Sequence, residues 1–406
     1  MAKTICMIGS LDTKGVEFAY LKVEIERRGC RTLVIDVGVL GAPAFRPEVP
    51  AEDVAAAGGQ TLAALVTRRD RGEAMRVMAD GAALVVKQLH AAGRFDGIIS
   101  MGGGGGTAIT AAAMRTLPVG FPKLLVSTLA SGNMEAYVGT TDLTVMPSVV
   151  DVAGLNRVSK TIFANAAGAI CGMVTGERPT DLQDKPLIAA TMFGNTTRAV
   201  DHARKLLEER GYEVLVFHAT GAGGRTMETL IEDGYFSAVL DLTTTEWADE
   251  VCGGVLSAGP ARLEGAARNG VPQIVTPACL DMCNFWAPET VPAKWHGRRF
   301  YHWNPNVTLM RTNVEENTRL GKIFAEKLNA ARGPVAVLVP MGGFSELDLP
   351  GQPFWWPEAD AAFVAALKSK LRPDIPVELC DQAVNDPEFS RRATERLLEL
   401  INNKQE

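Results

Sequence analysis

A chain of 406 residues, 47% hydrophobic and 22% charged, has the makeup of soluble globular domains, and its length implies two or three of them. The 41 lysines and arginines against 47 aspartates and glutamates leave a net charge of −6; this speaks against a nucleic-acid-binding face, and no apolar run approaches the ~18 residues of a membrane span. The 7 cysteines, odd in number and scattered, suit reduced thiols in the cytoplasm. The opening Met1-Ala2-Lys3-Thr4-Ile5-Cys6-Met7-Ile8-Gly9 reads as a first strand, too short for a secretory leader.

In the first half the hydropathy pattern predicts strands over residues 4–8, 32–37, 97–101, 123–127 and 143–146. Helical stretches are expected near 15–28, 60–92, 107–115 and 155–175. Strands alternating with helices imply a parallel sheet covered on both faces, whose ligands collect beyond the carboxyl ends of the strands. Four loops fall there: Gly9-Ser10-Leu11-Asp12-Thr13-Lys14-Gly15, Asp36-Val37-Gly38, Gly102-Gly103-Gly104-Gly105-Gly106-Thr107, and Ser127-Thr128-Leu129-Ala130-Ser131-Gly132-Asn133. The glycine run dominates. A strand that enters a helix through glycines lets backbone approach a ligand closely. It also aims the first free N–H groups of the helix at an anion, phosphate above all. Neither familiar phosphate loop matches. Thr107 follows Gly106 without the lysine of a Walker loop, and it stands where the dinucleotide fingerprint needs its third glycine. A tight turn in close packing is the plain alternative, but consecutive glycines carry an entropic cost that a turn alone does not require.

Gly176-Glu177-Arg178-Pro179-Thr180-Asp181-Leu182-Gln183-Asp184-Lys185-Pro186 is polar, contains prolines and reads as a linker. The pattern then restarts. Met7-Ile8-Gly9-Ser10 is echoed by Met192-Phe193-Gly194-Asn195, and Leu33-Val34-Ile35-Asp36 by Leu215-Val216-Phe217-His218. Strands are expected over 187–192, 213–217, 238–242, 273–276, 308–310 and 335–339, with an amphipathic helix from about 387 to 400. The expected fold is α/β: two Rossmann-like, doubly wound parallel-sheet domains, residues 1–180 and 186–406, facing each other across a cleft.

Lys14 begins the first helix, where the dipole disfavours a cation unless a phosphate is held there; Asp12 and Thr13 either cap that helix or meet a ligand. Asp36 stands where nucleotide-binding α/β domains accept bonds from ribose hydroxyls. Ser131 and Gly132 either add N–H groups to the site or cap the next helix. In the second half Asp241, Glu246, Asp249 and Glu250 gather acid near one strand end, as Mg²⁺ ligands or as an ordinary acidic first turn. Cys279 and Cys283 lack the partners of a zinc site and read as buried thiols. His302, in the aromatic and arginine-rich Arg298-Arg299-Phe300-Tyr301-His302-Trp303-Asn304, is a candidate acid or base, against the alternative of a ring held by packing. Arg311 could clamp a carboxylate or phosphate bidentately.

The strings Ile8-Gly9-Ser10-Leu11-Asp12-Thr13-Lys14-Gly15 and Asp36-Val37-Gly38, with the glycine run, resemble the ATP-binding domain family named after the tomato mosaic virus resistance protein. In bacteria this is catalogued as a family of uncharacterised proteins. The second half is similar too, in Gly253-Gly254-Val255-Leu256-Ser257-Ala258-Gly259-Pro260-Ala261-Arg262-Leu263, Asp281-Met282-Cys283-Asn284-Phe285 and Thr308-Leu309-Met310-Arg311-Thr312. The resemblance implies ATP, with or without Mg²⁺, on the glycine-rich loops of the first domain, and a homodimer. The residues expected to hold it are Asp12, Thr13, Lys14, Asp36, Gly38, Gly102, Gly103, Gly104, Gly105, Gly106, Thr107, Ser131 and Gly132. The alternative is a hydrolase- or lyase-type cleft enzyme for a small anionic metabolite, such as a sugar acid or phosphorylated acid. Its catalytic residues would be Asp281, His302, Arg311 and Glu315, with ATP as cosubstrate or regulator. A third expectation is a partner-binding scaffold that uses Trp355 and Trp356. Metal ligands are not assigned, the expected location is the cytoplasm, and neither nucleic acid nor membrane is an expected partner.

Overall fold

The computed structural model describes residues 2–177 and 185–405, so most of the expected linker lies outside the described residues. The chain divides into two compact units, Met1–Asp181 and Leu182–Glu406.

The first unit runs β1 (Thr4–Gly9), α1 (Leu11–Glu26), β2 (Arg31–Asp36), α2 (Ala51–Ala57), α3 (Leu62–Arg68), α4 (Arg71–Ala91), β3 (Gly97–Gly102), α5 (Gly104–Met114), β4 (Lys123–Ser127), α6 (Glu135–Val138), β5 (Thr144–Pro147) and α7 (Arg157–Thr175). Its strands form one parallel sheet in the order β2-β1-β3-β4-β5. Side chains alternate across the pleat and feed two separate cores. Cys6, Ile8, Leu33 and Ile35 pack under α2, α4 and α5. Ile5, Met7 and Val34 pack on the other face, under α1 and α7. Burial on both faces is why these strands read as continuous apolar runs. The single helical stretch expected over 60–92 is broken. Arg69 adopts a left-handed φ of 54°, and Asp70 starts α4 afresh by accepting from the Glu73 N–H at 3.0 Å.

The second unit runs β6 (Leu187–Met192), α8 (Thr197–Glu208), β7 (Glu213–His218), α9 (Ala222–Glu232), β8 (Ala238–Asp241), α10 (Glu246–Cys252), α11 (Gly265–Asn269), β9 (Gln273–Val275), β10 (Met282–Phe285), β11 (Phe300–Asn304), β12 (Val307–Arg311), α12 (Val314–Asn329), β13 (Val335–Pro340), α13 (Pro357–Lys370), β14 (Val377–Cys380) and α14 (Pro387–Gln405). Its parallel sheet has the order β7-β6-β8-β9-β13-β14. This is the order of the first unit with one strand added, the structural counterpart of the echoed sequence. The strand expected over 308–310 does not join this sheet. It is part of β12, the middle of an antiparallel three-stranded sheet, β10-β12-β11, whose outer strands, residues 282–285 and 300–304, lie outside the strands expected from sequence. α14 packs Phe389, Ala393 and Leu397 into a core with Ile188, Leu240, Ile274 and Leu338 of its own unit.

Candidate functional site

In an open parallel sheet a ligand crevice forms where strand order reverses. In the first unit this point lies between β1, which leads outward to β2, and β3, which leads the other way to β4. A cavity of about 720 Å³ opens there, within the ~300–1,000 Å³ usual for small-molecule sites. Ser10, Asp12 and Thr13 line it from the end of β1, Val39 and Leu40 from the end of β2, and Gly105 and Gly106 from the start of α5. Arg69 and Arg71 bring two guanidinium groups from the α3–α4 junction, while Leu65, Val66, Met75, Met78 and Ile109 make an apolar wall.

The glycine run has no conformational or packing reason to be glycine. None of its residues is among those with positive φ. A Cβ added at Gly102, Gly103, Gly104, Gly105 or Gly106 would find its nearest neighbour at 3.4, 3.8, 3.7, 3.6 and 3.9 Å respectively, all ordinary contacts. Elsewhere the opposite holds. A Cβ on Gly9 would lie 2.0 Å from the Phe18 ring, and one on Gly38 would lie 2.5 Å from Asp12 Cγ. The run therefore keeps open the surface above the first turn of α5, a helix whose N-terminus no side chain caps. Its first N–H groups and the positive end of its dipole face outward. The Arg71 guanidinium stands beside it, 3.9 Å from the Cβ position of Gly105.

The other expected binding residues divide into lining and scaffolding. Asp12 and Thr13 line the cavity; the Asp12 carboxylate also accepts from the Leu40 N–H at 2.7 Å, and its other oxygen, packed over Gly38, has no donor. Asp36 is buried and accepts from the N–H groups of Leu11 and Gly38, both at 2.9 Å, so it ties the first two strand-end loops together. Burial pushes its pKa up, and these two bonds pull it back. Lys14 stands at a kink in α1 with φ −126° and ψ 16°, outside the cavity lining. The Thr107 hydroxyl is buried against Ser127 Oγ at 2.7 Å and joins α5 to β4. Ser131 and Gly132 follow β4, on the other flank of the glycine run from the cleft; the Gly132 N–H closes a turn onto Leu129. Sequence reading missed Arg69 and Arg71 because it ran one helix through them. The cap signature Asp70-x-x-Glu73 was the available signal.

In the second unit the corresponding reversal lies between β6 and β8, and the chain fills it with its own polar groups. The Thr243 N–H donates to Thr191 Oγ1 at 2.8 Å, Thr196 and Thr243 hydroxyls meet at 2.7 Å, and Asn195 Nδ2 approaches Met282 Sδ of β10 at 3.6 Å. The acidic cluster is likewise engaged. Asp241 and Glu246 hold Arg262, and Glu250 accepts from Ser257. Among the described residues, no group of three or more His, Cys, Asp or Glu side chains could hold a metal ion. Asp249, fully buried, accepts from the Leu256 and Asn284 N–H groups at 3.1 Å and from Asn284 Nδ2 at 2.7 Å. Burial outweighs these bonds and lifts its pKa to about 7. The folded chain thus holds this proton more tightly than the unfolded chain. The stability Asp249 contributes is complete below about pH 4 and is lost as pH rises through its folded value. Asp249→Asn should accordingly show a flatter decline of denaturation midpoint across that window than wild type; identical slopes would contradict the assignment.

Of the expected catalytic residues, the structure buries two and exposes two. Arg311 has no side-chain exposure and is bonded to Asp348, Asp360 and the Phe354 carbonyl. The Asp281 carboxylate, also enclosed, accepts from Ser345 Oγ at 2.7 Å, its pKa raised by burial and lowered by the charge of Arg311. His302 is exposed on the edge strand β11, opposite Thr308. Glu315 lines a separate groove on α12 with Arg298, Arg319 and Lys322. Cys279 and Cys283 are buried free thiols. Trp355 and Trp356 are half-buried, with the Arg299 guanidinium 5.1 Å from the Trp356 ring centre.

Comparison with known proteins matches residues 3–179 to the N-terminal domain and 185–401 to the C-terminal domain of an uncharacterised protein family, UPF0261. A UPF0261 protein of Clostridium tetani is 49% identical over 99% of this chain and its own full length. Another, from Rhizobium meliloti, is 45% identical over 98% of this chain and all of its own. The ToMV resistance protein Tm-1(GCR237) of Solanum lycopersicum is 38% identical over 87% of this chain, a match that spans 48% of the tomato protein. Both halves and the full-length similarity agree: the chain belongs to the UPF0261 family.

Proposed function

We propose that the first unit binds a nucleoside phosphate, ATP being the ligand its family resemblance indicates, in the cleft between the ends of β1 and β3. The observation that carries this reading is the run of glycines that neither φ nor packing demands, opening the uncapped start of α5 onto a cavity with two arginines. Phosphates would lie on the N–H groups of Gly104, Gly105 and Gly106 beside Arg71 and Arg69, where dipole and guanidinium charges add. The base would lie against Leu65, Val66 and Met75. Asp12 and Thr13 would meet the ligand's polar groups or a Mg²⁺ ion that accompanies it. Asp36 and Gly38 act at one remove, by holding the two loops in place.

Thermal unfolding with ATP, ADP, AMP and NAD, each with and without Mg²⁺, tests this. A ligand at ~100 Kd that binds only the folded chain adds ~2.7 kcal/mol, a large shift. Two variants separate folding from binding. Gly105 lies in a helix with room for a methyl group, so Gly105→Ala should raise the stability of the free protein by about 0.4–1 kcal/mol. Gly105→Leu should fold and lose the nucleotide shift, because its side chain enters the cleft over Met75. A wild type indifferent to every nucleotide, or a Gly105→Leu variant that responds as wild type does, would sink the proposal.

A further inference from the structure

A second cavity of the first unit, about 320 Å³, opens beyond the ends of β4 and β5, lined by Ser127, Thr128, Ser131, Ser148, Val149 and Asp151 among others. It lies on the opposite flank of the glycine run from the nucleotide cleft. The Cβ position of Gly105 looks toward Met75 and Arg71, whereas those of Gly103 and Gly104 look toward Thr128 and Leu129. The first turn of α5 thus stands between the two cavities.

The chemistry of this cavity differs from that of the cleft. Its lining carries four hydroxyls and one carboxylate and no cation. A second anion would meet no cationic side chain there and would face Asp151. A ligand rich in hydroxyls would find partners that both donate and accept, together with a carboxylate that only accepts. Ser127 is already committed, to Thr107 and to the Leu129 N–H; Thr128, Ser131 and Asp151 are exposed.

The outer rim is built at a conformational cost. Val149 has φ 65° and is 72% exposed. The Val150 N–H donates across it to the Ser148 carbonyl at 2.7 Å, and Ser148 Oγ donates to the Val150 carbonyl at 2.7 Å. This is a γ-turn of the strained hand, with a β-branched residue in the left-handed region. The exposed valine returns little burial for that strain, while the turn sets Ser148 and Asp151 on the cavity wall. Strain of this kind persists where surroundings enforce it, commonly at ligand sites.

We infer that this cavity is a subsite for a small neutral polyhydroxylated ligand, of the sugar-alcohol or monosaccharide class, held beside the phosphate end of the nucleotide. Its place next to a phosphate rests on the proposed nucleotide site; its own binding does not. Isothermal titration calorimetry with glycerol, erythritol, xylose, glucose and gluconate, each with and without ATP, tests it. At least one neutral probe should give saturable heat, and the anionic gluconate should bind more weakly than glucose. The paired substitutions Thr128→Val and Ser131→Ala, both at exposed positions, should weaken the polyol about tenfold, the loss of one to two hydrogen bonds, and leave the ATP response intact. An ATP response with no polyol response overturns the subsite and spares the nucleotide reading. A polyol response that the paired variant loses, with no ATP response, supports the subsite and overturns the nucleotide reading. A paired variant that binds polyol as wild type does overturns the subsite.

Discussion

Arg262→Met is expected to lower the unfolding free energy of the second unit by about 3–5 kcal/mol, the usual cost of breaking a buried ion pair from one side. The Arg262 guanidinium is 1% exposed and forks onto Asp241 at 2.5 and 2.6 Å; it also donates to Glu246 at 2.7 Å and to Glu228 at 3.2 Å. Removing it leaves three enclosed carboxylates facing one another with no cation. Glu246 would keep the N–H groups of Gly221 and Gly224, and Glu228 those of Leu263 and Gly265. Asp241 would keep only the Thr191 hydroxyl among its side-chain bonds, so the loss falls hardest there. Arg262→Lys should recover part of the stability, since an ammonium restores charge but not the planar fork. Urea denaturation of the three proteins checks this. A Met variant within about 1 kcal/mol of wild type would mean that the carboxylates tolerate isolation, which buried ionised groups do not.

Arg311→Leu should cost a comparable amount, about 3–5 kcal/mol, and its pH dependence should identify the cause. Arg311 donates to Asp360 at 2.7 Å, to Asp348 at 3.0 Å and to the Phe354 carbonyl at 2.7 Å. Burial already raises the pKa of Asp348 and of Asp360, and the charge of Arg311 opposes that rise. Without the guanidinium both folded values climb further, so the folded chain of the variant holds more protons than wild type. The penalty should therefore be smallest in acid and grow as pH climbs beyond the ordinary carboxylate range of about 4 and through the wild-type folded values, which reach about 9 for Asp348. Denaturation midpoints of variant and wild type across that range read this directly. An Arg311→Leu protein with unchanged stability would return Arg311 to the role of a substrate clamp, because nothing in the fold would then depend on it.

The α/β class and the glycine run were legible in the chain because each depends on local pattern. Strands buried on both faces must be apolar throughout, as residues 5–8, 98–99 and 124–126 are, and turn residues bound them. Consecutive glycines are costly wherever they occur, so their position after a strand already pointed to a ligand. The breaks in the helical stretch before β3 were legible in principle, through Asp70 and Glu73, but lay hidden in a continuous helical composition.

Other features depended on distance along the chain. Met282-Cys283-Asn284-Phe285 has no alternation of its own and becomes a strand only by pairing with residues 308–311. Arg311 looked available to a substrate because its partners, Asp348 and Asp360, lie 37 and 49 residues away. Asp36 stood where a ribose partner belongs, yet its carboxylate is spent on the N–H groups of Leu11 and Gly38. The sequence by itself determined the alternating layers and the place where backbone is laid bare, since hydropathy period and glycine entropy act residue by residue. Only the tertiary structure decided which charged groups face a cavity and which neutralise one another inside. That choice is set by burial and by partners far apart in the chain, because a charge taken out of water must find its counter-charge wherever the fold has put one.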